Sequence, residues 1–421
     1  MEKARMAVKL VNLQLVAVLV AVFVTVMSGG VALGLECMDC HVSSGITTAG
    51  AEKCAGVDDQ KVHNVFLGKT VDNASSVGLD QLSSTTYYVP DNFDTIQEAI
   101  DAATDGDEII VGDGTYPEHI NFLGKKITVC SEHGPFRTTI SGDPEVVENI
   151  AIVTFWKSEG ADSMLDGFTI TNGITNGIGF FGGGISCNAS EPTISNCIIT
   201  GNTGGFGGGI YCYASEPTIS NCIITGNTAG FGGGIFLCDW TGGVAAATII
   251  NCLITDNESS EAGGGIYCGG TAPTIINCTI SDNSTTGFGG GIRSSVYAFP
   301  KVFNTILWGN TADGNPDEIS VSEDASIDIT YSDIQGGDPD NPGSPYPGTD
   351  NILCDPAFVG NGDYHLTESS CCIDAGTDVG APDYDIDGDI RPQGDGYDMG
   401  ADEVFVPGKH GKPWRLYQKM E

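Results

Sequence analysis

The most chemically specific phrase in the chain is CMDCH, residues 37–41. Cys37 and Cys40 stand three positions apart, the spacing at which two thiols hold a c-type haem by its vinyl groups. The adjacent His41 is placed to ligate the iron. His63 shares the segment and is the candidate for the second axial position. Met38 lies inside the motif and does not suit that role. Two other chemistries use the same residues. Cys37, Cys40 and Cys54 with His63 match a Cys3His zinc set, and Cys37 with Cys40 can form a plain oxidised pair. No further C-x-x-C-H follows residue 85, so one haem is the maximum. The segment is poor in large apolar residues, so a haem there would be exposed unless a partner covered it.

Two more patterns carry chemistry. Asp383, Asp385, Asp387 and Asp389, with Gly388 among them, alternate as the acids of a calcium loop do. The twelfth position is Gly394, where an EF-hand needs Glu, so the choice is between a looser Ca2+ site and a solvated acidic turn. Tyr211, Phe236, Tyr267 and Arg293 recur at one position of a repeat. Stacked in register they would make a flat ladder for sugar rings, extended by Trp240. The alternative is a ladder that only stabilises its sheet. Asp313, Asp317 and Glu318 lie on a later loop without a partner base, and no residue is singled out as catalytic.

These residues hang on a repeat. A triple glycine, a cysteine, a Thr-Ile pair and Asn-Cys-x-Ile-x-x-Asn recur, most clearly in GGGISCNASEPTISNCIITGN from Gly182 and GGGIYCYASEPTISNCIITGN from Gly207. The first Asn of the closing phrase falls at Asn196, Asn221, Asn251, Asn277 and Asn304, at intervals of 25, 30, 26 and 27 residues. A unit this short cannot bury its own apolar face, so copies must stack into a solenoid. The period, the β-branched residues and the glycine turns make each rung of short parallel strands. Ile194, Cys197 and Ile199 should face inward; Ser195, Ile198 and Thr200 should face outward. Thr279, replacing Ile198 in the fourth copy, suits an outward site. The Asn residues should stack into two ladders, 196 to 304 and 202 to 310, since Asn tolerates the left-handed backbone of a bend. Phe181, Phe206, Phe231 and Phe288 precede the glycines as another ladder.

An earlier stretch, DTIQEAIDAATDGDEIIVGDGTYPEHI, predicts a short helix. Asp94 with Gln97 reads as a capping box. Ile96, Ala99, Ile100 and Ala103 form its apolar stripe, and Gly106 is the stop signal. A helix laid on the first rung would cover an apolar end. LDGFTITNG reads as a further rung.

At these residues a resemblance becomes specific. TIQEAIDAATDGDEIIVGDGTYPEHI followed by GKKITVCSE resembles the entry segment of right-handed parallel β-helix proteins of the pectate-lyase-like superfold. The GNT and NCTIS rungs resemble those of microbial surface proteins with that fold. DIQGG, DPAFVGNGDYHLTESSCCIDAG, DYDIDGDIRP and DMGADE resemble the C-terminal region of exported proteins termed choice-of-anchor Q. Together these span about residues 86–405. The resemblance implies an all-β right-handed parallel β-helix with an N-terminal capping helix. It leaves function open, because that fold hosts lyases, hydrolases, adhesins and inert spikes.

The formal net charge is −38, from 17 basic and 55 acidic residues. Such a surface repels nucleic acid and anionic lipid and attracts cations. Lys3, Arg5 and Lys9 precede a long apolar run, which reads as an export signal over residues 1–35, cleaved or retained as an anchor. Export would open the glycosylation triplets at Asn73, Asn188, Asn257, Asn277 and Asn283. Eight cysteines belong to the rungs, at 187, 212, 238 and 268 and at 197, 222, 252 and 278. They are either free apolar fillers or bridges between rungs. In the third copy Leu237 takes the inward place and Cys238 falls one residue late. Cys354 with Cys371 or Cys372 is the candidate for a bridge in the tail.

The domain reading is therefore a signal (1–35), a haem-motif segment (36–85), a β-helix of about ten rungs (86–335), an acidic region (336–405) and a basic tail (406–421). The expected role is an exported surface protein, structural or adhesive. Its expected partners are surface polysaccharide or other surface and cytochrome proteins, with one haem linked to electron transfer. The alternative is a pectate-lyase-like lyase or hydrolase acting on acidic polysaccharide.

Overall fold

The computed structural model describes residues 84–142, 150–175, 182–242, 244–314, 317–336 and 348–404. The chain divides into two units, Met1–Val77 and a second from Gly78 onward, and every described residue lies in the second. The signal, the C-x-x-C-H motif with His63, Asn73, Phe181 and the basic tail fall outside the described residues.

The strands coil as parallel rungs. One rung runs through Thr193–Ser195, Ile198–Thr200, Thr203–Phe206 and Ile210–Tyr213 before the next begins at Thr218. Like strands pair in register, Ile194 with Ile219 and Ile199 with Ile224. Among the described residues the first, second and third sheets hold ten, nine and eight strands, and a fourth, small sheet holds five. Thr193–Ser195 belongs to the first, Ile198–Thr200 to the second, Ile210–Tyr213 to the third and Thr203–Phe206 to the fourth.

The inward rows are the expected ones. Ile194, Cys197, Ile199 and their counterparts in the following rungs are fully buried in one continuous core. The thiols there are free and donate to carbonyls of their own bends, Cys197 to Ser195 O at 3.1 Å and Cys222 to Ser220 O at 3.2 Å. Cys212 faces Leu237 and Tyr213 faces Cys238, so the one-residue offset of the third copy is real. Burial holds the Cys268 thiol up at about 12.

The first Asn ladder takes the expected left-handed bend, and the second does not. Asn196, Asn221, Asn251, Asn277 and Asn304 all have positive φ, between 47° and 58°. In the second ladder the left-handed residue is the preceding one: Gly201, Gly226, Asp256, Asp282 or Gly309. Asn202, Asn227, Asn257, Asn283 and Asn310 instead point inward. Each of the first four donates Nδ2 to the Oδ1 of the next at 2.9–3.0 Å. This row is buried, and its last member, Asn310, donates to the Glu318 carboxylate. Two of the glycosylation triplets start in this row, at Asn257 and Asn283, and a third at Asn277. All three are fully buried, so those triplets are corrected; Asn188 is exposed.

The triple glycines stand where no side chain fits. A Cβ on Gly233 would lie 2.5 Å from the carbonyl oxygens of Glu258 and Gly264.

The helix α1 spans Ile96–Ala102, with Ile96, Ala99 and Ile100 buried in the same core as the first strands. Its cap is displaced by one residue from the expected pair. Thr95 is the N-cap and accepts from Glu98 N at 3.1 Å. The start is further held by Glu118, whose two oxygens accept from Ile96 N and Gln97 N, both at 3.0 Å. Thr outcompetes Asp because its hydroxyl lies in reach of the third amide of the helix.

Candidate functional site

From Ile198 onward the outer face of the second sheet is not a solvent face. Ile223 and Leu253, with half-buried Ile198, pack against Ile386, Ala401 and Tyr364 of the acidic region, whose described part, residues 348–404, is called the tail below. Ile306 packs with Leu366, Cys372 and Met399. Thr279 is outward, as its polarity suggested, yet buried, because Ala401 N donates to its hydroxyl at 3.1 Å.

The tail also takes over the first Asn ladder. Asn221 and Asn251 bond at 2.7 Å, and so do Asn277 and Asn304 at 3.1 Å. Between these pairs the amides turn to the tail. Asn277 Nδ2 donates to Asp398 O and Gly400 O, and Asn304 Nδ2 to Thr377 O at 2.7 Å. Arg391 is buried at this seam. It pairs with Glu403 at 2.9 Å and reaches Gly400 O and Asn251 Oδ1. Burial lifts Glu403 to about 7, with the charge of Asp398 adding to the rise and Arg391 opposing it.

A cluster of ligating groups lies on the tail's inner side. The antiparallel pair Phe358–Gly360 and Asp363–Leu366 carries His365. Its Nδ1 meets Asp363 Oδ1 and its Nε2 meets Asp387 Oδ2. Asp402 Oδ2 accepts from Leu366 N at 2.8 Å. Burial works against a charged His365, but the bond to Asp387 and the charges of Asp402 and Asp387 outweigh it and hold the imidazole up at about 10. Burial raises Asp402 to about 6, with His365 opposing the rise.

The four acids read as a calcium loop do not converge, and that expectation is corrected. Asp385 is spent on backbone amides: Oδ1 accepts from Asp387 N and Asp389 N at 2.9 and 2.7 Å, and Oδ2 from Glu403 N at 3.0 Å. Asp383 is exposed and Asp389 half-buried, and of the four acids Asp387 alone turns toward other ligating groups. Among the described residues two groups bring three such atoms within 4.8 Å of one another: His365, Asp387 and Asp402, and Asp333, Cys371 and Cys372. The second group cannot act as a set, because Cys371 is bonded to Cys354. That bond also settles the tail bridge as Cys354–Cys371, leaving Cys372 free.

The aromatic ladder forms but is not a sugar platform. Tyr211, Phe236 and Tyr267 stack at 5.6 and 4.9 Å, nearly parallel. They are only 4%, 1% and 8% exposed, because Phe206 and Phe231 of the fourth sheet lie against them. Arg293 continues the row; its guanidinium sits 5.5 Å from the Phe288 ring and donates to Ser320. Trp240 is the exposed member, edge-on to Tyr213 at 6.3 Å.

His365, Asp402 and their cluster were missed in the sequence. Their ligating atoms come from three segments spread over 38 residues (365 to 402), and no fixed spacing announces such a set. The one available signal was the short run Asp363-Tyr364-His365, a His beside an acid.

The family model described as "Right handed beta helix region" matches residues 142–280. The chain is an all-β, right-handed parallel β-helix. No curated protein matches the sequence. Similar solved structures include a pectate lyase, Pel9A, at 14% identity over 77% of this chain and 97% of that one, with a TM-score of 0.47. A pectin methylesterase from carrot is 15% identical over 67% and 91%, with a TM-score of 0.39. The pectin methylesterase PemA from Erwinia chrysanthemi is 11% identical over 68% and 93%, also at 0.39. Likeness at these values says nothing of what this chain does.

Proposed function

We propose that the protein is an exported structural scaffold of the cell surface built on a β-helix. The observation that carries this reading is the closure of the outward rows. The outward row of the later rungs of the second sheet is covered by the tail, and the aromatic row of the third is covered by the fourth. Among the described residues, the one cluster whose three ligating groups are all unbridged, His365, Asp387 and Asp402, lies in the tail and not across the rungs. Export is supported by the positively charged start and apolar run of residues 1–35 and by the Cys354–Cys371 bond, which suits an oxidising compartment.

The haem reading rests on the donor set Cys37, Cys40 and His41, with His63 as second ligand, and would make the scaffold a carrier of one electron-transfer group. Two measurements test the whole. The purified exported protein should show a covalent haem Soret band; a colourless protein removes electron transfer. Incubation with a panel of acidic and neutral polysaccharides, with Ca2+ present, should release neither unsaturated products nor new reducing ends. Turnover of any member would replace the scaffold by an enzyme.

A further inference from the structure

We propose that His365, Asp387 and Asp402 bind one divalent transition-metal ion that ties three segments of the tail to one another. This goes beyond the scaffold reading and does not depend on it.

Four observations converge. One ligating atom from each residue lies within 4.8 Å of the other two. Asp387 is 8% exposed, and its Oδ1 is buried without any hydrogen-bond partner. A carboxylate oxygen shut away from water and left unpaired needs a cation or a donor, and among the described residues none reaches it. His365 is prepared as ligands usually are: Asp363 holds Nδ1, which fixes the ring and directs Nε2 toward Asp387. Finally, Asp385 acts as a positioning residue, because its carboxylate grips the amides of Asp387 and of Glu403, next to Asp402. The two ligand-bearing loops are thereby set against each other without metal.

Charge points the same way. Asp363, Asp387 and Asp402 surround a single imidazole, so even the cationic form of His365 leaves an excess of two negative charges. A divalent ion cancels it. A small cavity bordered by His365, Asp402, Tyr364 and Leu253 adjoins the cluster. His365 keeps 27% of its side chain open to solvent, which supplies an entry path.

The donor set selects the ion class. One imidazole and two carboxylates suit Zn2+, Mn2+ and their first-row neighbours. Ca2+ takes oxygen ligands and would leave the imidazole unused. The ion would join the antiparallel pair (His365), the acidic turn (Asp387) and the last described segment (Asp402), which already meet through the packing of Tyr364, Ile386 and Ala401 and through hydrogen bonds.

The test uses the full chain, stripped with EDTA and titrated with Mn2+ under electron paramagnetic resonance. Mn2+ is chosen because thiolates such as those of residues 37–41 bind it poorly. One equivalent should bind, Zn2+ should displace it, and equimolar Ca2+ should not. Asp387→Asn and His365→Gln should each weaken binding at least tenfold, and Asp363→Asn about 10- to 100-fold as a positioning change. Metal should raise the melting temperature of the wild type and not of Asp387→Asn. Absence of a site, unaltered binding by His365→Gln, or displacement by Ca2+ mole for mole would overturn the proposal. If a variant loses its thermal transition in EDTA, pulsed resonance of the wild type decides: imidazole nitrogen coupling to bound Mn2+ is required, and its absence refutes the site.

Discussion

The buried amide row gives the sharpest test of how the rungs hold together. Asn257 is fully buried. Its Oδ1 accepts from Asn227 N and Asn227 Nδ2, both at 3.0 Å. Its Nδ2 donates to Ile224 O at 2.8 Å and to Asn283 Oδ1 at 2.9 Å. Asn257→Ala removes all four bonds without backbone strain, because Asn257 itself is not left-handed. The Asn227 N–H is then orphaned in the interior, at about 1–3 kcal/mol, and the remaining bonds lose about 0.5–1.5 kcal/mol each, at the low end for Asn227 Nδ2, which keeps its bond to Ile199 O. The expected cost is about 3–5 kcal/mol. The control is Asn196→Gly, at a half-exposed bend where φ is +53° and glycine keeps the conformation. Water replaces its bond to Asp166, so the loss should be about 1 kcal/mol. Urea unfolding of both variants, read as midpoint and slope, measures the difference. If Asn257→Ala costs no more than Asn196→Gly, the buried row does not hold the rungs and the account of the stacking fails.

Two further outcomes follow from titrating and nucleophilic groups. Burial raises Glu318 to about 8; its bonds to Asn310 oppose the rise, and the charges of Asp317 and Asp282 add to it. The folded form therefore holds a proton that the unfolded form has lost between about pH 4.5 and 8, and stability should fall with rising pH through that window, by at most about 1.4 kcal/mol per pH unit. In Glu318→Gln this component of the slope should vanish; an unaltered profile would show that Glu318 does not titrate as described. The buried rung cysteines should resist a thiol reagent in the native protein, since burial holds their thiols well above the usual range, as at Cys197, Cys222 and Cys252. Fast native labelling of these positions, mapped by mass spectrometry, would mean that the rungs open readily.

The candidate site was legible only in fragments. Asp387 stood out because acids alternate around it, as a loose calcium site or a solvated turn, but the groups nearest its carboxylate are His365 and Asp402, not the other acids of the run. Asp385 looked like a ligand and is instead bound by three backbone amides. The aromatic row of Tyr211, Phe236 and Tyr267 was placed correctly along the rungs. Whether it met solvent depended on Phe206 and Phe231, which belong to another sheet. Cys354 was correctly assigned to a bridge, while the choice between adjacent Cys371 and Cys372 needed the turn that sends one thiol outward and the other toward Asp333.

What the chain encodes by itself is the rung. Stacking joins residues 25 to 30 positions apart, each phrase repeats its neighbour, and so Ile194, Cys197, Ile199 and the five bend asparagines declare their places by periodicity alone. The seam with the tail follows no period. Asn251 reaches Tyr384 across 133 residues, and Asn277 reaches Asp398 across 121. Only the folded chain brings such groups together, because once the rungs have coiled, the apolar outer row of Ile223, Leu253 and Ile306 must still be withdrawn from water. The tail meets that demand, and in meeting it assembles His365, Asp387 and Asp402 from segments that nothing in the linear order connects.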